Sequence, residues 1–299
     1  MTANNKQIQL YEVGPRDGLQ NEAQPVPTDA KIRYIEALAR AGHTRIEATS
    51  FVRPGVIPQL SDAQEVYTGI QKQAGVSYIA LTPNRKGMEN ALAAGLQEGA
   101  VFTAASEAFT KKNINATIAE SLERFGDVMS LAGEAGIPVR GYVSTVVECP
   151  YSGRIEPQAV LDVCRKLLDQ GVYQVSLGET IGVAVPDDIS RLLDVLLKDI
   201  PPEKLAGHFH DTRGTALACV FRAMEYGLRI FDASSGGLGG CPYAPGAAGN
   251  LATEDLVYAL HRSGYQTGID LSALTEATTQ IAGALGRQPT ARAYLACKA

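Results

Sequence analysis

Eight short apolar runs with high strand propensity are spaced along the chain. Each ends at a polar or glycine-containing turn and precedes a segment whose apolar residues recur every three or four positions. In Lys31–Ala41 this helical spacing stops at Gly42, and Thr28 or Asp29 is the expected cap. The predicted strands are Ile8–Val13, Arg45–Phe51, Ser77–Thr82, Ala100–Ala105, Val139–Thr145, Tyr173–Leu177, Ala206–His210 and Ile230–Ala233. Further predicted helices are Pro157–Gln170, Pro186–Asp199, Thr215–Tyr226 and Leu251–His261.

Strands that alternate with helices pair in parallel through right-handed crossovers. Eight such units predict an α/β fold, a closed (β/α)8 TIM barrel. An open doubly wound sheet is less favoured, because no glycine-rich dinucleotide fingerprint follows the first strand. The 299 residues are expected to form one domain, residues 1–299, in which residues 267–299 are additional C-terminal helices.

The composition is that of an ordinary globular protein, with 45% apolar and 20% charged residues. A net charge of −5 without a block of like charge argues against nucleic acid as a partner. No apolar stretch approaches the roughly 20 residues of a membrane span, and no signal-peptide pattern is evident. The five cysteines form no Cys-x-x-Cys pair and are expected to be reduced thiols. We therefore expect a cytoplasmic protein.

Two of the four histidines, His208 and His210, are separated by a single residue in a predicted strand. Residues i and i+2 of a strand point to the same face, so both imidazoles are expected to face one site. Together with a carboxylate from elsewhere they predict a metal site, and the alternative is a pair of core histidines. His43 and His261, in a turn and near a helix end, are expected at the surface.

In a barrel the chemistry lies at the carboxyl ends of the strands, and unusual residues collect there. Arg16 and Asp17 follow the first strand, where Asp17 is a candidate ligand and Arg16 a candidate for stabilising an oxyanion; a surface salt bridge is the alternative. Glu47 lies in the apolar second strand and needs a partner if buried, for which Arg16 is the candidate. Its expected part in catalysis is a supporting one.

Two later loops add candidates at the same end. Glu179 and Thr180 end the sixth strand, and the eighth strand leads into a glycine-dense loop that contains Cys241 and ends at Asn250. A thiol there could transfer a proton, or it could be an inert buried thiol. Asn250 could coordinate a metal through its amide oxygen or cap the next helix. Asp211 is expected to be structural.

These segments resemble the 3-hydroxy-3-methylglutaryl-CoA lyase family, in the family's order and across nearly the whole chain. The most specific element is the loop Gly237-Leu-Gly-Gly-Cys-Pro-Tyr-Ala244, which indicates lyases rather than other members of the wider barrel superfamily. The other matching motifs are Val13-Gly-Pro-Arg-Asp-Gly-Leu-Gln-Asn-Glu22, Leu81-Thr-Pro-Asn84, Phe109-Thr-Lys-Lys-Asn-Ile-Asn115, Arg140-Gly-Tyr-Val143, His208-Phe-His-Asp211 and Gly249-Asn-Leu-Ala-Thr-Glu-Asp255. Glu179 departs from the family's Leu-Gly-Asp-Thr motif by one methylene, which leaves the choice of acyl group open.

The resemblance implies a role for each candidate. The ligands of a divalent cation would be Asp17, His208, His210 and Asn250. The catalytic residues would be Arg16, Asp17, Glu47, His208 and Cys241, with Arg16 stabilising an enolate and Cys241 transferring a proton. The residues expected to contact the substrate are Arg16, Gln20, Ser50, Tyr142, Glu179 and Thr180.

The implied reaction is the metal-dependent retro-Claisen cleavage of an acyl-CoA thioester, 3-hydroxy-3-methylglutaryl-CoA, to acetyl-CoA and acetoacetate. Nitrogen and oxygen donors without a thiolate favour Mg²⁺ or Mn²⁺ over Zn²⁺. The base that deprotonates the hydroxyl is Asp17 or a histidine. The alternatives are a lyase for isohexenylglutaryl-CoA or citramalyl-CoA, a condensing synthase (which usually has a further C-terminal region) and a non-catalytic barrel. A homodimer is a further expectation.

Overall fold

Eight parallel strands close into a barrel in the computed structural model, which describes residues 6–53, 55, 57–239 and 249–298. Each strand pairs with the next along the chain, and β8 pairs with β1, as the sequence pattern predicts for a TIM barrel. The strands are β1 (Gln9–Glu12), β2 (Arg45–Ser50), β3 (Ser77–Leu81), β4 (Glu98–Ala104), β5 (Val139–Ser144), β6 (Val175–Glu179), β7 (Leu205–Phe209) and β8 (Ile230–Ala233).

Helices surround this barrel. They are α1 (Thr28–Arg40), α2 (Ala63–Gly69), α3 (Arg85–Ala93), α4 (Glu107–Ile114), α5 (Ile118–Ala135), α6 (Pro157–Asp169), α7 (Pro186–Leu196), α8 (Ala216–Glu225), α9 (Thr253–Arg262), α10 (Leu271–Leu285) and α11 (Arg292–Lys298). The longest, α5, begins with a capping box between Thr117 and Glu120 and ends at Gly136, which adopts a positive φ. None of the described helices combines the length and apolar character needed to cross a membrane.

All eight predicted strands are present, but several boundaries were wrong. The sixth strand begins and ends two residues later than predicted, and the seventh ends at Phe209 rather than His210. Pairing with both neighbours decides where a barrel strand ends, and local propensity does not contain that information. Helix α1 begins at Thr28, and Pro27 at its N-cap position offers no side-chain hydrogen bond. A short hairpin, Glu148–Cys149 with Gly153–Arg154, was not predicted.

The hydrophobic core has two parts. The larger part lies between the strands and the surrounding helices. Inside the barrel, Tyr11, Ile79 and Tyr142 belong to a smaller apolar cluster, and the fully buried Arg140 lies against the ring of Tyr11. The barrel interior is therefore packed but not purely apolar.

The two C-terminal helices cover the outside of the barrel, with α10 against α1 and α11 against α9. The segment before α10 also covers the turn that contains His43, where Asp270 N donates to Ala41 O at 2.8 Å. A Cβ at Gly42 would meet the carbonyl oxygen of Gly268 at 2.2 Å. The expectation that His43 lies at the surface was therefore wrong: it is 1% exposed.

Candidate active site

The predicted site residues gather at the carboxyl ends of the strands. After β1 the chain forms a tight turn of π-helix, Gly14–Gly18, in which the amides of Arg16 and Asp17 donate to the carbonyl of Val13. A Cβ at Gly14 would lie 2.6 Å from Glu12 Oε1, so the turn can pack this closely only with glycine there. This turn places Arg16 and Asp17 over the barrel mouth.

Asp17, His208 and His210 come together although 191 residues separate the first two in sequence. Each offers one potential ligand atom, and these three atoms lie within 4.8 Å of one another. The Nε2 atom of His208 is 3.9 Å from Asp17 Oδ2, and the two imidazole centroids are 5.5 Å apart. The prediction that the His-x-His pair faces one site is confirmed, even though His210 lies just beyond the strand.

Asn250 lies beside Asp17 and orients it. Its Nδ2 atom donates to Asp17 Oδ2 at 2.8 Å and to the carbonyl of Leu238 at 3.2 Å. Asn250 also forms an isolated antiparallel bridge with His210. In this orientation its amide nitrogen, and not its oxygen, faces Asp17, so its assignment as a metal ligand stays a prediction.

Arg16 connects two carboxylates. Its Nη1 is 2.5 Å from Asp17 Oδ1, and its Nη2 is 2.8 Å from the fully buried Glu47. The predicted partnership of Glu47 with Arg16 is thus confirmed. Among the described residues, the Nε of Arg16 and Oε1 of Glu47 find no hydrogen-bond partner. Buried polar atoms left unpaired are costly, so this pair retains the capacity to bind a further polar group.

Two of the three potential ligands, Asp17 and His210, have pKa values that their surroundings lower. Burial alone would raise the pKa of Asp17, but Arg16, His208 and the Asn250 hydrogen bond hold that pKa well below its usual range. Burial and the neighbouring His208 lower the pKa of His210 to about 4. Asp17 is therefore ionised and His210 neutral near pH 7, the forms in which both can bind a cation.

The residues at the end of β6 bind backbone groups. Burial raises the pKa of Glu179 to about 7, although its Oε1 accepts from Val183 N at 3.2 Å. The Oγ1 of Thr180 accepts from the amide of Thr145 at 2.8 Å. Thr145 has a φ of 58°, an uncommon value for a β-branched residue. Both predicted substrate contacts thus shape the loops around the mouth, and their contact with substrate stays a prediction.

The remaining predicted substrate contacts differ in how close they lie to this centre. The ring of Tyr142 is 5.5 Å from the Arg16 guanidinium carbon and 6.4 Å from the His208 ring centroid. Ser50 is fully buried at the end of β2, and its hydroxyl has no hydrogen-bond partner among the described residues. Gln20 is partly buried just after the turn. Cys241 lies outside the described residues.

Two buried charged residues beside the site were not selected from the sequence. Asp232 Oδ2 is 3.2 Å from His208 Nδ1, and Asp232 Oδ1 accepts from Arg140 Nη2 at 2.7 Å. Burial alone would raise the pKa of Asp232, but Arg140 and His208 lower it to about 2. The sequence feature that could have identified them is a single charged residue in each of two otherwise strand-like runs, Arg140 in one and Asp232 in the other.

The donor set fits a divalent metal ion. One ionised carboxylate and two imidazoles converge, and among the described residues the Nδ1 of His210 is buried without a hydrogen-bond partner. Such mixed oxygen and nitrogen donors, with an arginine beside them, can hold a cation and stabilise a negative oxygen on the substrate.

Comparison with known proteins places the chain among lyases. The HMGL-like family model matches residues 7–281. The mitochondrial hydroxymethylglutaryl-CoA lyase of Bos taurus is 52% identical over 294 residues, covering 98% of this chain and 90% of the relative. A Pseudomonas aeruginosa protein named 3-hydroxy-3-isohexenylglutaryl-CoA/hydroxy-methylglutaryl-CoA lyase is 49% identical, covering 96% of each chain.

A solved structure shows the same architecture. The HMG-CoA lyase of Acinetobacter baumannii, in complex with coenzyme A and 3-methylmalate, aligns with a TM-score of 0.92 at 40% identity. The alignment covers 98% of this chain and 95% of that one.

Proposed function

The chain belongs to the HMGL-like family, and we propose that it cleaves 3-hydroxy-3-methylglutaryl-CoA to acetyl-CoA and acetoacetate with the help of a divalent cation. The observation that carries the proposal is the convergence of Asp17, His208 and His210 beside the buried Arg16. An acyl-CoA substrate is supported by the names of the relatives and by the coenzyme A bound to a related lyase.

In this proposal Asp17, His208 and His210 hold the cation, and Asn250 either completes the set or keeps Asp17 in place. Nitrogen and oxygen donors favour Mg²⁺ or Mn²⁺ over Zn²⁺. When bound, the cation supplies Lewis acidity that lowers the pKa of the substrate hydroxyl. Residues outside this set are left to bind the thioester and to handle the product carbanion.

The cleavage has a simple balance. The O–H bond at C3 breaks, the C3 carbonyl forms, and the C2–C3 bond breaks with its electron pair leaving on the thioester enolate. Asp17 or one of the two histidines takes the hydroxyl proton. Arg16 faces the enolate oxygen, where negative charge develops only as the bond breaks, and a contact of this kind speeds the chemical step. Cys241 then protonates C2.

Glu47 is assigned the support of Arg16. It is fully buried, and its ion pair fixes one end of the guanidinium while the other end faces Asp17. Ser50 and Tyr142 are assigned to substrate binding because Ser50 ends β2 with a buried hydroxyl that is unpaired among the described residues, and the Tyr142 ring lies 5.5 Å from this guanidinium. Gln20, Glu179 and Thr180 are assigned to the outer part of the same pocket.

The test is an assay for acetoacetate with purified protein, 3-hydroxy-3-methylglutaryl-CoA and Mg²⁺ or Mn²⁺. We expect product with either ion, less with Zn²⁺ and none after chelation. His208→Gln should abolish activity, whereas His261→Gln, at an exposed and remote position, should not change it. Absence of thioester cleavage by the folded wild type with metal would refute the proposal.

A second candidate substrate is 3-hydroxy-3-isohexenylglutaryl-CoA. The observation that favours it is the 49% identity to a lyase named for both thioesters. Comparison of kcat/KM on the two substrates decides between them, and citramalyl-CoA can be included in the same series. The cytoplasmic location and the homodimer remain predictions.

A further inference from the structure

His208 and Asp232 lie side by side because of strand register. In the pairing of β7 with β8 these two residues are direct partners, so both side chains lie at the same level on the barrel interior. The His208 Nδ1 atom is 3.2 Å from Asp232 Oδ2, while its Nε2 atom is 3.9 Å from Asp17 Oδ2. The imidazole is therefore held between a deep carboxylate and a carboxylate at the mouth.

The other partners of Asp232 are hydrogen-bond donors. Arg140 Nη2 donates to Oδ1 at 2.7 Å, and the Ser176 hydroxyl donates to Oδ2 at 2.6 Å. Arg140 and Asp232 have no exposed side-chain surface. An ionised carboxylate accepts hydrogen bonds and cannot donate them, so the neutral imidazole must carry its proton on Nδ1. Its Nε2 then presents a lone pair toward Asp17.

We propose that Asp232 is a positioning residue for His208 and fixes the imidazole tautomer that can bind a cation through Nε2. The proposal rests on the proposed function, in which His208 is a ligand. When a carboxylate binds the second nitrogen of a ligating histidine, replacing that carboxylate typically weakens metal affinity 10- to 100-fold. His210 offers an internal contrast, since among the described residues its buried Nδ1 has no hydrogen-bond partner.

The first measurement uses the metal-free wild-type protein. With ¹⁵N-labelled histidine the chain gives four imidazoles, and His208→Gln assigns the signal of interest. At a pH where the ring is neutral, we expect His208 to show a protonated Nδ1 and an unprotonated Nε2. A protonated Nε2 in the wild type would overturn the proposal, whether or not the enzyme cleaves any thioester.

The second measurement is the Kd for Mn²⁺ by electron paramagnetic resonance, again without substrate. Asp232→Asn should weaken Mn²⁺ binding 10- to 100-fold and alter the His208 tautomer. Ser176→Ala is the matched control; it removes one hydrogen bond to Asp232 but keeps the carboxylate beside His208, and Mn²⁺ binding should change less than threefold. An unchanged Mn²⁺ affinity in folded Asp232→Asn would refute the positioning role.

Asp232→Asn also removes the anion beside Arg140, an effect separate from the loss of the carboxylate beside His208. The double variant Arg140→Met/Asp232→Asn leaves no unpaired buried charge and should fold. It should show the same loss of Mn²⁺ affinity as the single variant, since Asp232 is absent from both. If the double variant binds Mn²⁺ like wild type, the proposal is wrong; if wild type binds Mn²⁺ but cleaves no thioester, only the proposed function fails.

Discussion

Two arginines are buried in the same barrel, and they differ in how completely their donors are used. In Arg140 all three nitrogens donate: Nε to Gln174 at 2.9 Å, Nη1 to the Tyr142 hydroxyl at 3.0 Å and Nη2 to Asp232 at 2.7 Å. The guanidinium carbon also lies 3.9 Å from the Tyr11 ring centroid. Every nitrogen of this guanidinium therefore has a hydrogen-bond partner in the barrel interior.

Arg16, at the barrel mouth, is bound less completely. It pairs with Asp17 and Glu47, but its Nε has no hydrogen-bond partner among the described residues, and the same holds for Oε1 of Glu47. The same kind of ion pair thus serves two purposes. A saturated network, in which every nitrogen of the arginine is paired, fixes the core and orients its neighbours. An unsaturated one, such as the pair of Arg16 and Glu47, retains polar atoms that can bind a further polar group.

The largest expected effect is on stability at the saturated network. Arg140→Met should lower the free energy of unfolding by about 3–5 kcal/mol, because it leaves Asp232 buried and charged without its cation. Urea denaturation at pH 7 measures this difference. The double variant Arg140→Met/Asp232→Asn should lose less, and a single variant as stable as the double one would contradict the comparison.

The next effect is on catalysis at the unsaturated pair. Arg16→Met should lower kcat for thioester cleavage by about 10²–10³, the usual cost of removing a donor to an oxyanion. It should cost less stability than Arg140→Met, because burial already raises the pKa of Glu47 and this carboxyl can take up a proton. Steady-state kinetics and urea denaturation test the two parts.

Arg262→Met, at an exposed position at the end of α9, is the matched control for Arg16→Met. It removes one arginine far from the mouth and should leave kcat and stability close to those of the wild type. The distinction between Arg16 and Arg140 would be contradicted if Arg16→Met kept full kcat, or if it lowered stability as much as Arg140→Met.

The sequence predicted this mouth better than the network beneath it. Parallel strands in a barrel bring their carboxyl ends together, so locating strand ends was enough to place Arg16, Asp17 and His208 near one another. The contact between Arg140 and Asp232 depends on how β5 and β8 face each other across the barrel, 92 residues apart in sequence. No local pattern contains that information.

The burial of His43 was missed for a similar reason. A polar turn after a helix is usually exposed, and here the segment from Gly268 to Asp270, more than 220 residues later, covers it. The hydrogen-bonding of Glu179 also depends on the path of its loop, because the backbone amide of Val183 turns back toward the carboxylate. In both places only tertiary packing decided what the residue contacts.

The smallest expected effect is on the pH dependence of stability, and it follows from a comparison of two buried carboxylates, Glu179 and Asp232. Among the described residues Glu179 forms no ion pair, and burial raises its pKa to about 7, whereas Arg140 and His208 together outweigh burial and lower the pKa of Asp232 to about 2. A carboxyl whose folded-state pKa is raised contributes stability below its unfolded pKa, near 4.5, and loses that contribution as the pH rises through 7.

Glu179→Gln should therefore stabilise the protein relative to wild type above pH 7, by on the order of 1–3 kcal/mol, with a smaller difference at pH 5. Urea denaturation of both proteins from pH 5 to pH 8 measures the difference. Glu203→Gln, at an exposed position, controls for the loss of one negative charge. A difference between Glu179→Gln and wild type that stays constant over this range would mean that Glu179 does not change protonation there. The absence of a guanidinium partner would then not explain how Glu179 differs from Asp232.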